Sequence, residues 1–201
     1  MDFERIRRNF EQNGYQVRCF ATGEAAAQYL EEELPGSTVG LGDCMTITAL
    51  GLYERLSARC SVADPQHPAP GEDFLAAARR TLLTDVFLTS VNAAAATGQL
   101  VNIDGTGNRV AGSLFGHRKV YFLIGRNKIT PTLEEAVRRA RQTAAPQNAK
   151  RLHKHTPCAA AGERCFDCSA PERICNVLVI HYKKMSQIEM EILLINEDLG
   201  L

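Results

Sequence analysis

The chain lacks a net charge, a long apolar run and an apolar leader. Its 201 residues include 23 Lys plus Arg and 23 Asp plus Glu, so its formal net charge is zero. A neutral chain has no overall field that would draw it to nucleic acid or to an anionic membrane. No apolar run approaches the roughly 18 residues that cross a bilayer, and the first ten residues are charged where a signal peptide would be apolar. We therefore expect a cytoplasmic protein with no nucleic-acid or membrane partner.

What is present is a core-forming composition, 45% hydrophobic and 23% charged. Apolar periodicity predicts helices that alternate with strands, so we expect an α/β fold with a largely parallel sheet flanked by helices. We treat residues 1–201 as one domain with three parts. These are an α/β core over 1–145, a linker and cysteine segment over 146–175, and two C-terminal strands over 176–201 that we expect to pair as a β-hairpin. The basic stretch Arg138, Arg139 and Arg141 is expected on the solvated face of a helix.

The first candidate ligand site is a glycine turn between the strand Thr38–Leu41 and a helix. Glycines allow a tight turn and a close approach of the backbone to a ligand, and a helix start offers free N–H groups to an anion. Asp43 is expected to cap that helix, and Cys44 to lie where a helix N-terminus stabilises a thiolate. A purely structural βα turn is the alternative. The residues assigned to ligand binding here are Gly40, Gly42, Asp43, Cys44 and Thr46.

A second polar turn follows the predicted strand Gln99–Ile103. In open α/β sheets ligands bind at the carboxyl ends of strands, and a guanidinium such as Arg109 can clamp a carboxylate or phosphate. A tight turn with a satisfied Asp and a surface Arg is the alternative. We expect both turns to face one pocket for a small carboxylate or a phosphorylated ligand. The residues assigned here are Asn92, after the strand Asp85–Ser90, and Asp104, Gly105, Gly107, Asn108 and Arg109.

Four of the seven cysteines form a separate motif, C-x6-C-x2-C-x6-C, at Cys158, Cys165, Cys168 and Cys175. In a reduced compartment thiolates are soft ligands for zinc or for iron–sulfur clusters. A zinc ribbon needs two C-x2-C pairs, and this segment has one. We therefore expect a [4Fe–4S] cluster held by these four residues. Zinc is the alternative, and free or redox-active thiols are a third possibility.

These stretches resemble the LUD-domain (DUF162, lactate-utilisation) family in its short form with a C-terminal cysteine motif. The resemblance implies a fold like the NagB/RpiA and CoA-transferase superfamily, in which a glycine-rich βα turn holds an anionic ligand. Some relatives take part in oxidising lactate to pyruvate beside iron–sulfur partner proteins. The motifs that carry the resemblance are Thr38–Gly51, Asp85–Gly125, Asn127-Lys128-Ile129, Thr156-Pro157-Cys158, Cys165–Cys168, Pro171–Asn176 and Ile195–Gly200.

The chain departs from that family pattern at two places. Relatives usually carry Ser where this chain has Cys44, and often an acidic residue just before the glycine equivalent to Gly98, where this chain has Ala96-Thr97. If that carboxylate were a general base, this chain would lack it. The catalytic role is therefore left unassigned, with Cys44, Asp104 and Arg109 as candidates.

Two functions of different classes follow. The first is a redox-linked iron–sulfur protein of organic-acid metabolism, an enzyme or a component of an enzyme complex, which binds a small anion and works beside iron–sulfur partner proteins. The second is a non-catalytic ligand-sensing or assembly module with a structural metal. A homo-oligomer is compatible with either.

Overall fold

A computed structural model describes residues 2–161 and 164–201 of the chain. The helices are α1 (Phe3–Gln12), α2 (Gly23–Glu33), α3 (Met45–Ala49), α4 (Leu52–Ser57), α5 (Phe74–Thr81), α6 (Asn108–Leu114), α7 (Leu133–Arg139), α8 (Ala145–Arg151) and α9 (Pro157–Ala161). The strands are β1 (Gln16–Phe20), β2 (Thr38–Leu41), β3 (Ser61–Ala63), β4 (Val86–Thr89), β5 (Ala93–Ala95), β6 (Leu100–Asp104), β7 (Lys119–Gly125), β8 (Ile129–Thr130), β9 (Val177–His181) and β10 (Glu189–Ile195).

The predicted parallel sheet has six strands, in the order β1-β10-β7-β4-β2-β3. Every adjacent pair in it is parallel. Alternate residues of the central strand β7 belong to two different apolar clusters: Tyr121 and Leu123 to one, and Val120, Phe122 and Ile124 to the other. Both faces of the sheet are therefore buried, as expected for parallel strands whose crossover helices cover the two sides.

A second sheet of four strands, in the order β8-β5-β6-β9, packs against the helical segment that begins at Leu133. Its β5–β6 and β6–β9 pairs are antiparallel. The predicted strand Gln99–Ile103 thus corresponds to β6 but does not belong to the parallel sheet. Small side chains form the contact with the helices, namely Ala93, Ala95, Val101 and Ile103 against Ala136, Ala140 and Ala145.

The prediction that the two C-terminal strands pair as a β-hairpin is wrong. β9 pairs with β6 in the second sheet, whereas β10 lies between β1 and β7 in the interior of the parallel sheet, next to its edge strand β1. Residues 190–195 of β10 are all buried. Because both faces of this strand are apolar, an interior position in the parallel sheet removes more apolar area from water than pairing with the partly exposed β9 would. The C-terminal strands are thus part of the core that we expected to end at residue 145.

The expected linker over 146–155 is helical in its first half, because α8 continues from α7 through a π-helical turn at Ala140–Ala144. Pro146 lacks the N–H that an α-helical turn would use, and it lies at the start of α8 just after the π-helical turn.

The helix predicted after Cys44 is divided in two, because Gly51 adopts a left-handed conformation with φ of 59° between α3 and α4. In the described residues, no helix combines the length and apolarity that a membrane crossing would require.

Candidate functional site

A cavity of about 560 Å³ lies where the turn after β2 meets the turn after β6. The structure thus brings together the two turns that the sequence singled out. The side chain of Asp43 comes from the first turn, and residues 104–106, 108 and 109 come from the second. The rest of the polar wall comes from β5, α8 and the cysteine segment: Asn92, Asn148, Arg151, Lys154, Glu172, Arg173 and Asn176.

Arg109 is held in place by its own turn. Its Nη2 donates to the carbonyl of Ile103 at 2.7 Å, and its Nε lies 3.4 Å from Oδ2 of Asp104. Asp104 is buried and also accepts from the backbone N–H groups of Gly107, at 3.1 Å, and Val110, at 3.4 Å. The carboxylate therefore has partners at both oxygens within the protein, and its role is to orient the guanidinium and the turn. The remaining N–H groups of Arg109 are available to a ligand in the cavity.

The other residues of the second turn have separate roles. Gly107 has a φ of 89° and precedes α6, so a left-handed residue is needed there. Gly105 lets the cysteine segment approach, because a Cβ at Gly105 would lie 2.9 Å from the backbone of Ile174. Asn108 lines the cavity. Asn92 also lines it, while its Oδ1 accepts from Ile103 N at 2.8 Å and ties β5 to β6.

The glycines of the first turn serve packing and do not face the cavity. A Cβ at Gly40 would lie 2.6 Å from the carbonyl of Thr81, and one at Gly42 would lie 2.7 Å from Oγ1 of Thr89. Neither glycine lines the main cavity or the smaller one beside it, and protein atoms fill the space that a side chain would take at each position. These glycines are required for the close packing of β2 against α5 and β4.

Asp43 does not cap α3 as expected. It adopts a left-handed conformation with φ of 40°, and the residue at the N-cap position is Cys44, which makes no side-chain capping bond. The Asp43 carboxylate instead accepts from Nε2 of Gln66 at 2.6 Å and lines the cavity. A non-glycine residue held in this conformation costs about 1–3 kcal/mol, and such residues are concentrated at functional sites.

Cys44 is buried, and burial outweighs the stabilisation that the backbone N–H of Ile47, in the first turn of α3, gives to its thiolate. Burial raises the pKa of the Cys44 thiol; Lys128 acts against this rise but does not cancel it. The cost of desolvating a thiolate therefore exceeds the benefit of the short helix, whose five residues give a weak dipole. Cys44 lines a smaller cavity of about 40 Å³ that shares Asp43, Asn92 and Arg109 with the main cavity.

Lys128 is the principal site residue that the sequence analysis missed. It is 3% exposed, and its Nζ donates to Thr46 Oγ1 and to Ser90 Oγ, both at 2.9 Å. The predicted ligand residue Thr46 is thus fully buried and acts through this lysine. Burial lowers the pKa of Lys128 to about 8; Cys44 acts against this shift, while Arg139 and Arg109 add to it. The only available signal was the family-like run Asn127-Lys128-Ile129.

The expectation that Arg139 lies on the solvated face of a helix is wrong. Its Nη1 donates to the carbonyl of Asn92, and its Nε donates to the carbonyl of Asn127 at 3.0 Å. Burial lowers the pKa of Arg139. It therefore joins α7 to the strand ends beneath the site and adds positive charge there.

The charge that the cavity offers to a ligand is positive. Asp104 is occupied by Arg109 and backbone N–H groups, and Glu172 accepts from the backbone N–H of His155 at 2.6 Å and lies 2.8 Å from its ring. The third carboxylate of the wall, Asp43, accepts from Nε2 of Gln66, so each of the three wall carboxylates has a partner within the protein. The basic side chains of the same wall are Arg109, Arg151, Lys154 and Arg173.

The cysteine segment docks directly on the second turn. Asn176 donates from its backbone N–H to Asp104 O at 2.9 Å and from its side chain to Gly105 O at 3.1 Å. Next to the main cavity, Cys165 and Cys175 line a neighbouring cavity of about 250 Å³. The two cavities share Ile103, Ala145, Arg173 and Asn176. The predicted metal segment and the predicted ligand pocket are therefore separated by one layer of side chains.

Cys165 and Cys168 lie in the neighbourhood of Cys175. Burial is the main cause that raises the pKa of the Cys175 thiol, and Cys165 and Cys168 lie near enough to raise it further. The backbone N–H of Asp167 donates to Cys165 Sγ at 3.3 Å, and Arg173 donates to the carbonyls of Cys168 and Cys175. N–H groups directed at sulfur are typical of cysteine-ligated clusters.

Cys158 lies in α9, where its Sγ is 3.3 Å from Thr156 Oγ1. All seven cysteines are free thiols. Within residues 2–161 and 164–201, no three His, Cys, Asp or Glu side chains are grouped so that they could hold a metal ion. The four cysteines fit a thiolate-ligated centre in their chemistry, but the described residues do not bring three of them together in the arrangement that a metal ion needs.

The position before Gly98 at which relatives often carry an acidic residue lies outside this pocket. Ala96 and Thr97 lie in the turn between β5 and β6, at the opposite end of these strands from Asp104. The carbonyls of Ala96 and Gly98 accept from the side chains of Asn9, at 2.7 Å, and Asn13, at 2.8 Å. This turn packs on α1, so a carboxylate there would not reach the ligand cavity of the same chain.

Comparisons with known proteins agree with this fold. The family model of the LUD domain matches residues 3–195. The chain is also similar to a crystal structure of a DUF162 family protein from Deinococcus radiodurans, with a TM-score of 0.54 and 13% sequence identity, over 96% of this chain and 95% of that one. At that identity the likeness shows the fold alone. No curated protein matches the chain.

Proposed function

Because this chain belongs to the LUD-domain family, we propose that it is a redox-linked protein of organic-acid metabolism. It binds a small carboxylate- or phosphate-bearing ligand in the main cavity, and its cysteine segment holds a [4Fe–4S] cluster. The observation that carries the proposal is the wall shared by the two cavities, which contains Arg173 and Asn176. A ligand in one cavity lies one side-chain layer from the thiols in the other.

The proposed preference of the main cavity for an anionic ligand rests on the charged groups of its wall that are still free to contact a ligand. Arg109 is oriented by Asp104 and Ile103 and presents its remaining N–H groups to the cavity. A preorganised guanidinium binds carboxylate or phosphate oxygens with charge-assisted hydrogen bonds, each contributing about 1.5–3 kcal/mol. A neutral ligand would gain less from this wall, and a cationic one would be repelled.

Cys165, Cys168 and Cys175 would hold the cluster, with Cys158 as the fourth ligand. The cluster would supply one-electron transfer to or from iron–sulfur partner proteins, or would polarise the ligand. Arg173 links the two parts, since it lines both cavities and donates to the carbonyls of two of the cysteines. A change of charge at the thiols would therefore be sensed at the ligand cavity through this guanidinium.

Purification under anaerobic conditions, followed by iron, sulfide and zinc analysis, tests the redox part. We expect iron and sulfide in equal amounts and broad visible absorption that bleaches on reduction. Stoichiometric zinc without colour would contradict the redox function and would favour a ligand-sensing or assembly module with a structural metal. A thermal-shift screen with acetate, oxalate, lactate and inorganic phosphate tests the ligand part. We expect stabilisation by at least one of these anions.

A further inference from the structure

The buried polar group beneath the main cavity consists of Lys128, Thr46 and Ser90. Both hydroxyls already have acceptors for their protons: Ser90 donates to Leu123 O at 2.6 Å, and Thr46 has Leu199 O and Ser90 Oγ as acceptors, both at 3.3 Å. Each hydroxyl therefore accepts from Lys128 and has no proton to offer it. The lysine places two of its three ammonium protons on them.

The third ammonium proton has no partner in the part of the chain that the structure describes, and no carboxylate pairs with Lys128 there. The charged side chains that act on its pKa, Arg109 and Arg139, are both cationic, and burial raises the pKa of the nearby Cys44 thiol. Asp43 and Arg151 line the same small cavity, where the Asp43 carboxylate accepts from Nε2 of Gln66. An ammonium ion buried without a counter-ion is costly, and proteins keep such groups where function needs them. Lys128 lines the 40 Å³ cavity that opens toward Arg109.

We propose that Lys128 is the charge-bearing residue at the floor of the ligand site, where its free N–H binds a carboxylate-type oxygen of the ligand that Arg109 also contacts. This inference rests on the proposed anion-binding function and extends it. The small size of the cavity at Lys128 favours a carboxylate over a bulkier phosphoryl group. The ligand supplies a carboxylate partner in direct contact with Lys128, which the described residues of the protein do not provide.

The first test needs no ligand. In the absence of anions, Lys128→Met should raise the melting temperature by about 2–4 °C or more, because methionine fills a similar volume without a buried charge. The hydroxyls of Thr46 and Ser90 keep their carbonyl acceptors in this variant. The matched control is Lys119→Met. Lys119 forms an ion pair with the buried Glu191 at 2.7 Å, so this variant should lower the melting temperature.

If Lys128→Met lowers the melting temperature as Lys119→Met does, Lys128 is a structural residue and the inference is overturned. The second test titrates acetate and oxalate into the wild type and Lys128→Met. We expect the variant to lose about 10- to 150-fold in affinity, the range for a charge-assisted hydrogen bond. In the wild type, the dissociation constant should rise about tenfold per pH unit above about 8, where the ammonium loses its proton.

The outcomes of the second test separate the two proposals. If neither anion binds the wild type, the proposed anion-binding function fails, and this inference fails with it. If an anion binds the wild type and Lys128→Met equally well, the anion site stands and only the role of Lys128 is overturned. Equal affinity in the wild type at pH 7 and pH 9.5 would also overturn it.

Discussion

The guanidinium of Arg109 lies with its Nε 3.4 Å from the carboxylate of Asp104, and both side chains are largely buried. This pair fixes the polar turn after β6 while leaving part of the guanidinium open to the cavity. Asp104 is therefore a positioning residue, and Arg109 is the residue of the turn that can contact a ligand.

Arg109→Ala should weaken the binding of acetate or oxalate by about 1.5–3 kcal/mol, the contribution of a hydrogen bond to a charged group. Isothermal titration calorimetry measures the change. Arg126→Ala is the control, because that arginine pairs with Asp198 on the surface and does not line the cavity. Equal losses in the two variants would place the anion site elsewhere.

Replacing Cys165 and Cys168 together with Ser should abolish metal binding, because two adjacent ligands of the expected cluster are removed at once. The variant should also be less stable, since metal binding is coupled to folding. Metal analysis and thermal unfolding check the two effects. The matched control is Cys19→Ser with Cys60→Ser, two thiols outside the motif. Unchanged metal content in the first variant would rule out this segment as the metal site.

Gly42→Val should destabilise the fold by about 3 kcal/mol, the upper range for overpacking, because a Cβ at Gly42 would lie 2.7 Å from Thr89 Oγ1. Gly36→Ala provides the comparison. A Cβ there meets nothing within 4 Å, and only its φ of 78° opposes the change, at about 1 kcal/mol. Urea unfolding gives both values. If Gly42→Val is as stable as the wild type but loses anion binding, the glycine faces the ligand after all.

His181 should make the protein sensitive to acid. It is 1% exposed, and burial lowers its pKa to about 4, against about 6.5 in the unfolded chain. Between these values the unfolded chain binds the proton and the folded one does not, so the stability is full above about pH 6.5 and falls as the pH decreases toward 4. The loss should approach about 3 kcal/mol.

Urea unfolding between pH 7 and pH 4.5 measures this slope. His181→Gln should flatten it, whereas His153→Asn, at an exposed position, should not. The same slope in the wild type and His181→Gln would show that other groups cause the acid sensitivity.

Local sequence patterns predicted most of the individual elements. β2 spans Thr38–Leu41 as expected, and the predicted strand Gln99–Ile103 overlaps β6 at Leu100–Asp104. Such features depend on residues a few positions apart, whose spacing and side-chain chemistry are visible in the chain itself. The family-like motifs likewise located the two turns that meet at the cavity.

Only the tertiary structure decided how these elements pair and which of their side chains are buried. Whether β10 pairs with β9 or inserts between β1 and β7 depends on contacts between residues more than a hundred positions apart, such as Gln16 and Glu191. Lys128, in the polar run Arg126-Asn127-Lys128, has the pattern of a surface lysine and is buried only because Thr46 and Ser90 come to it from other strand ends. The sequence by itself therefore determined the segments and the polar turns. The burial of a charge, which is the property that distinguishes a functional lysine, arose only when the strands were brought together.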